Sequence, residues 1–423
     1  MDVIRQKTEK QIPTVATRPA WPTLVGNILT TLARSYGPIL TLWLGKKLTV
    51  VVTSHTIARE ILKDNDVIFA NRNIPASAVP FSYGGRDIVW SPYGAEWRML
   101  RKVAVHEMLS NATLDSVYSL RRQDIWRTIG YLHSQAGKQV NIGKRGYDTR
   151  LFIFLVGIGL LPNSSAWFGS INGEVGTSTG DGAKQSKDFL EFLLEMKDGG
   201  GDNKTPLTMI HVKALLMDMV VGGTDKTSNS LEFAMAELMN KPDVMERVKQ
   251  ELDTAVGKHD KVEESHIPKL PYLRAVMKET LRLHPILPLL APHSPSESCI
   301  IGGYTIPQGS DVLINVWAIQ RDPLVWKNPL EFDPERFLGG KGDFSGKEFD
   351  YFPFGSGRRN CAGIAMAERI FMYLLASVLH AFDWRLPEGE RVDLSEEFGI
   401  VLKKKIPLVA IPTPRLLDPT LYE

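Results

Sequence analysis

The chain has 423 residues, 43% hydrophobic and 23% charged, with a net charge of +2. That balance is globular and excludes a chain disordered throughout, a collagen and a coiled coil; it gives no bulk electrostatic case for a nucleic-acid partner. Two cysteines, Cys299 and Cys361, exclude a disulfide-rich scaffold and a four-cysteine zinc site.

Residues 1–35 are polar and proline-punctuated, which predicts an extended lead-in with one short helix. They contain no signal-like or membrane-spanning apolar stretch, and the apolar run Leu151–Leu161 is too short to cross a bilayer. The expectation is a soluble or at most peripheral chain. Leu40–Thr53 alternates apolar and polar residues around Gly45-Lys46-Lys47, which predicts a β-hairpin, and Ser54 is placed to cap a helix running to about Asp64. Residues 74–95 form a long loop holding Phe81, Tyr83 and Trp90, a candidate lid or binding wall. Helices are predicted from Ala95 and from Leu114 to Gln135. Residues 143–206 are glycine-rich and poorly specified. A helix is predicted from about Leu207 to Lys241, roughly 50 Å long and closed by Pro242, with glycines that allow a local kink. Further helices follow at 242–256, 272–284 and 363–380. Short strands are predicted at 299–306, 311–315, 400–402 and 408–411. The fold class is mainly α with small β-sheets.

The most informative stretch is Phe352-Pro353-Phe354-Gly355-Ser356-Gly357-Arg358-Arg359-Asn360-Cys361-Ala362-Gly363. It is a glycine-rich loop that puts one cysteine at a helix start. Free backbone N–H groups and the positive helix end are expected to lower the thiol's pKa and favour a metal-binding thiolate. Gly357 permits a tight turn, and Gly363 lets the backbone approach something flat and large. A single cysteine ligand suits haem, whose porphyrin supplies the other donors.

This stretch resembles the haem-binding signature of the cytochrome P-450 family, Phe-x-x-Gly-x-Arg-x-Cys-x-Gly, at every defined position: Phe354, Gly357, Arg359, Cys361 and Gly363. The resemblance runs from about residue 36 to 415 as a single haem-enclosing domain, shortened in the middle, with residues 416–423 as a tail. It implies haem b, with Cys361 as the axial thiolate and Arg359 near a carboxylate of the bound group. Trp97 and Arg101 resemble the family's Trp-x-x-x-Arg, which implies propionate contacts for both, and His293 lies where the family often has another. Glu279 and Arg282 match Glu-x-x-Arg, with Arg336 as the expected third member of that network. Gly222-Gly223-Thr224-Asp225-Lys226-Thr227-Ser228 resembles the oxygen-activation motif and makes Gly223, Asp225, Lys226 and Thr227 catalytic candidates. Lys226 takes the place of the motif's first threonine. A lysine there donates protons, ligates iron when neutral, or obstructs the pocket. Thr227 lies about 100° further round the helix. The family's pocket positions fall on Phe81, Val221, Gly222, Leu289, Leu290, Ala291, Phe398 and Ile400, an apolar set suited to a lipophilic small molecule.

The motif wording looks most like plant microsomal hydroxylases of terpenoids and flavonoids. The implied reaction inserts one atom of dioxygen into such a substrate, with electrons from NADPH through a flavin reductase. Arg98, Lys102 and Arg358 are candidates for its docking surface. The implied location is the endoplasmic reticulum membrane. Rival readings are a haem-binding member without turnover, a haem-thiolate isomerase or dehydratase, and a haem-free partner-binding protein.

Overall fold

A computed structural model describes residues 27–144, 189–199, 205–399 and 401–422. The lead-in before residue 27, the apolar run Leu151–Leu161, the glycine-rich 169–183 and Ile400 lie outside these described residues.

Helices dominate, in the order expected. After α1 (Asn27–Tyr36), β1 (Ile39–Leu44) and β2 (Lys47–Val52) form the predicted hairpin, with Ile39 opposite Val52 and Leu44 opposite Lys47. The turn needs the left-handed backbone of Gly45 (φ 64). The following helix, α2 (His55–Arg59), continues as a π-helical turn to Asp64. Ser54 stands at its N-cap, yet its hydroxyl bonds that of Thr56 (2.7 Å) rather than the backbone. Next come α3 (Ala95–Lys102), α4 (Asn111–Ser116), α5 (Tyr118–Ser134), the short β3 (Val140–Asn141) and α6 (Phe189–Asp198).

The long helix departs from expectation. It is two helices, α7 (Met209–Gly223) and α8 (Asp225–Asn240), interrupted at Thr224. The Thr224 hydroxyl bonds Val220 O (2.8 Å), and its own N–H reaches the same carbonyl at 3.3 Å. A side chain competing for a helix carbonyl bends helices in this way. Then follow α9 (Pro242–Ala255), α10 (Pro271–Leu283), β4 (Cys299–Ile301), β5 (Tyr304–Ile306), β6 (Asp311–Ile314), α11 (Val316–Ile319), α12 (Ile364–Ala381), β7 (Phe382–Arg385), β8 (Glu396–Phe398), β9 (Leu402–Lys404) and β10 (Val409–Pro414). The strands form two three-stranded sheets, β1-β2-β6 and β3-β10-β7, and two hairpins, β4-β5 and β8-β9.

The main core wraps α12. Every residue from Ile370 to Ala381 is buried, against Ile125, Ile129, Met235, Val248, Leu273 and others. A helix apolar on all sides belongs at the centre of such a core. Each fully buried Leu, Phe or Met there contributes about 1.5–3 kcal/mol. Among the described residues α12 is also the one helix long and apolar enough to cross a membrane, but 67% of it is inside the protein. Its N-terminal end carries the cysteine loop.

Candidate haem-thiolate site

The loop before α12 is shaped by its own backbone. Gly355 and Gly357 have φ of 75° and 67°, the left-handed region that glycine supports without penalty. A Cβ on Gly357 would collide with Leu62 O. Cys361 N donates to Phe354 O (2.9 Å), and Gly363 N donates to Cys361 Sγ (3.3 Å). Protein surrounds Cys361, yet its side chain keeps open surface. Together these place the thiol on an interior space. A Cβ on Gly363 would lie 4.0 Å from Sγ, so glycine keeps the approach to sulfur clear.

The electrostatics correct one expectation. Burial pushes the Cys361 thiol up, and this outweighs the downward pull of the Gly363 N–H and of the Lys226 and Arg101 charges. The helix start alone therefore does not supply a thiolate. A bound metal cation would supply it, by deprotonating the thiol.

Three half-buried arginines surround the loop. Arg359 bonds the carbonyls of Ala70 (2.6 Å), Ile88 (2.9 Å) and Ser91 (2.5 Å) and lies 4.6 Å over the Trp97 ring. Arg101 bonds Asn360 O (2.7 Å) and Asn360 Oδ1 (2.5 Å). Arg72 bonds the carbonyls of Ala291 and Pro292, and its Nε is buried without a partner. Among the described residues none of the three has a carboxylate within ion-pair distance. Burial and the neighbouring Arg359 lower Arg72 to about 9; burial lowers Arg359 to about 10 and also depresses Arg101. Buried cations left without anions are costly. A group bearing carboxylates beside the thiol relieves that cost, so the residues present fit a haem and its propionates.

Trp97 and His293, two of the expected propionate contacts, both bond backbone carbonyls here. The Trp97 indole N–H donates to Ile88 O (3.0 Å), so it is committed to the loop. His293 is buried, and its Nδ1–H donates to Phe69 O (2.9 Å). Burial, Arg72 and Arg359 hold its pKa well below the usual range, so it is neutral and its Nε2 has no proton to donate. Arg72, which nothing local in the sequence marks, carries the spare donor instead.

Across the interior space runs the face of α7 and α8. Asp218, Gly222 and Lys226 are four residues apart and line one stripe. A Cβ on Gly222 meets nothing within 4 Å, and Val221 is 55% exposed although mid-helix. The same helix packs Met219 and Val220 into one cluster with Ala362, Ala365 and Met366 next to the cysteine. Lys226 Nζ donates to Val221 O at 3.2 Å. Asp225 and Asp218 lie near enough for their charges to act on it. Thr227 and Gly223 are half-buried on neighbouring faces.

Asp218 also ties this helix to the 74–95 loop. Its Oδ2 accepts from Ile88 N (2.7 Å), while Asp87 Oδ1 accepts from Trp90 N (2.7 Å). The two carboxyls face each other in a buried setting. Burial raises Asp87 to about 6, and burial with the Asp87 charge raises Asp218 well above its ordinary value. The folded state therefore holds a proton that the unfolded chain, with ordinary aspartates near 3.8, has released. The pair's contribution to stability is greatest at low pH and falls as pH rises through about 6. Asp218→Asn keeps the amide tether without the proton, and is expected to stabilise the protein by about 1–3 kcal/mol at neutral pH. The gain should shrink towards zero near pH 4.5. Thermal melts of both proteins at the two pH values check this; a gain that does not change with pH would refute it.

The Glu279 network is present and extends further than expected. Arg282 Nε and Nη2 bond the Glu279 carboxylate at 2.7 and 2.8 Å, and Arg336 Nε reaches it at 3.4 Å. Asp333 N adds a fourth donor (2.9 Å). Arg282 Nη1 also bonds Gln320 O and Pro329 O, both at 2.8 Å. Gln320, buried, donates to Leu281 O and Arg282 O (both 3.0 Å) and accepts from Phe352 N (3.2 Å). It joins the network to the cysteine loop.

The proposed pocket residues divide. Val221 and Gly222 border the interior space. Leu290, with φ 53, packs near Gly355. Ala291 contributes its carbonyl to Arg72. Leu289 is 3% exposed within the β1-β2-β6 packing, and Phe398 bridges that cluster to the one holding Phe233 and Ile286. Phe81 is 61% exposed, on the loop's outer side.

A thiol on an interior space, half-buried arginines without carboxylate partners and a broken helix are features that suit a haem-thiolate protein. The profile of the cytochrome P450 family matches residues 17–146 and 172–410. A flavonoid 3'-monooxygenase of Crocosmia x crocosmiiflora is 33% identical, over 98% of this chain and 95% of that protein. A geraniol 8-hydroxylase of Swertia mussotii is 34% identical, over 91% of this chain and 89% of its own. The fold is similar to that of a zebra fish cytochrome P450 solved with abiraterone: TM-score 0.80, 25% identity, covering 92% of this chain and 99% of that one. The chain belongs to the cytochrome P450 family. It is a monooxygenase of the plant hydroxylase type.

Proposed function

We propose that this chain hydroxylates a terpenoid or flavonoid, using haem b held by Cys361 and electrons from NADPH through a flavin reductase. The placement of the Cys361 thiol on an interior space, opposite the bare face at Gly222, carries the reading. When bound, the haem supplies the redox chemistry that activates dioxygen, favoured by the electron-rich thiolate.

The chain's own residues do the rest. Arg72, Arg101 and Arg359 neutralise the propionates and fix the group's orientation by charge-assisted bonds. The clamp of Arg359 on the 70–91 backbone and the Asp87–Asp218 pair hold the overlying loop closed against water. Val221, Gly222 and Leu290 present an apolar wall that suits geraniol-like or flavonoid-like molecules, the substrates named for the similar proteins. Asp225, at the start of α8, is placed to hold or move a proton at its carboxylate. Attachment to the endoplasmic reticulum is part of the same proposal.

The test is turnover by the full chain with NADPH, a plant flavin reductase and either geraniol or a flavonoid. A product heavier by one oxygen atom, labelled when the dioxygen is labelled, supports the reading. Absence of oxygenated product from both substrates, despite intact haem, would refute this substrate class.

Reductase docking has its own test. Arg98 and Lys102 are exposed on α3, whereas Arg358 is engaged by Asp66 (3.1 Å) and by the Tyr93 ring. Lys102→Glu is therefore expected to lower reductase-supported turnover several-fold at low salt, and raised salt should slow the wild type towards it. Equal rates at all ionic strengths would exclude docking through α3.

A further inference from the structure

We propose that Lys226 Nζ is the iron ligand opposite the Cys361 thiolate in the resting ferric protein. This rests on the haem-thiolate reading above and goes beyond it: the chain would carry its own occupant of the metal's open position.

The argument begins with where the side chain is confined. Lys226 sits on the first turn of α8, directly after the interruption at Thr224. Ser228 and Ser230 to Leu238, further along α8, are buried, whereas Asp225 at its start is exposed and Lys226 and Thr227 are half-buried. The Lys226 side chain is half-buried and lies on the stripe with Gly222, which contributes no side chain of its own. Met219 and Val220 of α7, and Ala362, Ala365 and Met366 beside Cys361, pack against one and the same apolar cluster, so the two segments border one interior space. The charges of Lys226 and Cys361 act on one another across it.

The second observation is what the amine lacks. An ammonium has three donors. Here one acceptor is given, Val221 O at 3.2 Å, and no carboxylate among the described residues lies within ion-pair distance. Asp218 is turned to Ile88 N and Asp87, and Asp225 acts only through its field. Burial, the largest influence on Lys226, favours its neutral form against the pull of Cys361, Asp225 and Asp218. A neutral amine has a lone pair and is a competent nitrogen donor to iron. On ligation the ammonium proton leaves to solvent, one N–Fe bond forms and any water at that position departs. No electron is transferred.

The test uses the full haem-loaded protein in its ferric state. Wild type, Lys226→Met and Lys226→Arg are compared by absorption, after the carbon monoxide complex of each reduced protein has shown a thiolate ligand. Wild type should show the red-shifted Soret band of nitrogen ligation, and both variants should lose it. Imidazole should bind Lys226→Met about tenfold more tightly than wild type, as expected if the open position is free in about a tenth of the wild-type molecules. Coincident ferric spectra, or an arginine variant that keeps the wild-type band, would overturn the proposal. Pulsed magnetic resonance on wild type grown with heavy-nitrogen lysine gives a readout independent of any variant. A coupling change at iron supports ligation, and an unchanged coupling overturns it. If wild type itself lacks the thiolate signature with carbon monoxide, the haem-thiolate reading fails along with this one.

Discussion

Cys361→Ala is expected to reduce monooxygenase turnover to background and to remove the thiolate signature of the reduced carbon monoxide complex. The reason is singular chemistry rather than stability. Sγ is the donor on which the loop converges: Gly363 N–H points at it, Gly363 keeps its approach clear, and Cys361 N is fixed by Phe354 O. Among the described residues no group of three or more His, Cys, Asp or Glu offers an alternative metal site. The other thiol, Cys299, lies in β4, half-buried and pushed up to about 11 by burial and the charges of Glu297 and Glu60. Cys299→Ser should therefore leave spectrum and turnover unchanged. Haem content and the carbon monoxide difference spectrum of both variants decide the matter. A Cys361→Ala protein that kept the thiolate band would show the ligand to be elsewhere.

Glu279→Gln is expected to destabilise the fold by about 3–5 kcal/mol, the range for breaking a fully buried ion pair. Glu279 and Arg282 are both 0% exposed, and the carboxylate accepts from Arg282 twice, from Arg336 and from the Asp333 backbone. Losing its charge strands Arg282 in a fully buried site. The damage should reach the haem, because Gln320 links the Arg282 backbone to Phe352 in the cysteine loop. Haem content should fall together with the unfolding midpoint. Arg247→Ala serves as the contrast: its partner Glu335 is exposed, and that surface pair should contribute less than about 1 kcal/mol. Equal effects of the two substitutions in denaturant titrations would refute the buried-network account.

The sequence carried the cysteine loop, the Glu279–Arg282 pair and the β1-β2 hairpin because each is local. Spacing within a dozen residues is enough to define them. Gly222 and Gly223 allowed for a kink, but the break at Thr224 itself was not legible, because its cause is one hydroxyl competing for one carbonyl. Arg72 and Gln320 were invisible for a different reason. Each is a single polar residue whose partners lie in distant segments, Ala291 for one and Phe352 for the other. The Asp87–Asp218 contact likewise joins a loop to a helix that only folding brings together. Trp97 was legible as a motif residue, but the bond its N–H makes to Ile88 O joins it to a loop whose path the sequence does not give. Motifs specify which residues meet at this site; the tertiary structure decides which atoms are still free once they do.

The grip of Arg359 has a consequence for the order of assembly. One side chain from the cysteine loop fastens three carbonyls, at Ala70, Ile88 and Ser91, that lie on the segment roofing the same space. The seat of the prosthetic group and the flap above it therefore share a fastener, and neither can reach its final shape without the other. A cofactor as broad as a porphyrin must then enter before this fastener closes, while the chain is still partly open. Exchange of haem out of the finished protein should accordingly be slow, limited by release of the 70–91 segment rather than by the strength of the iron–sulfur bond.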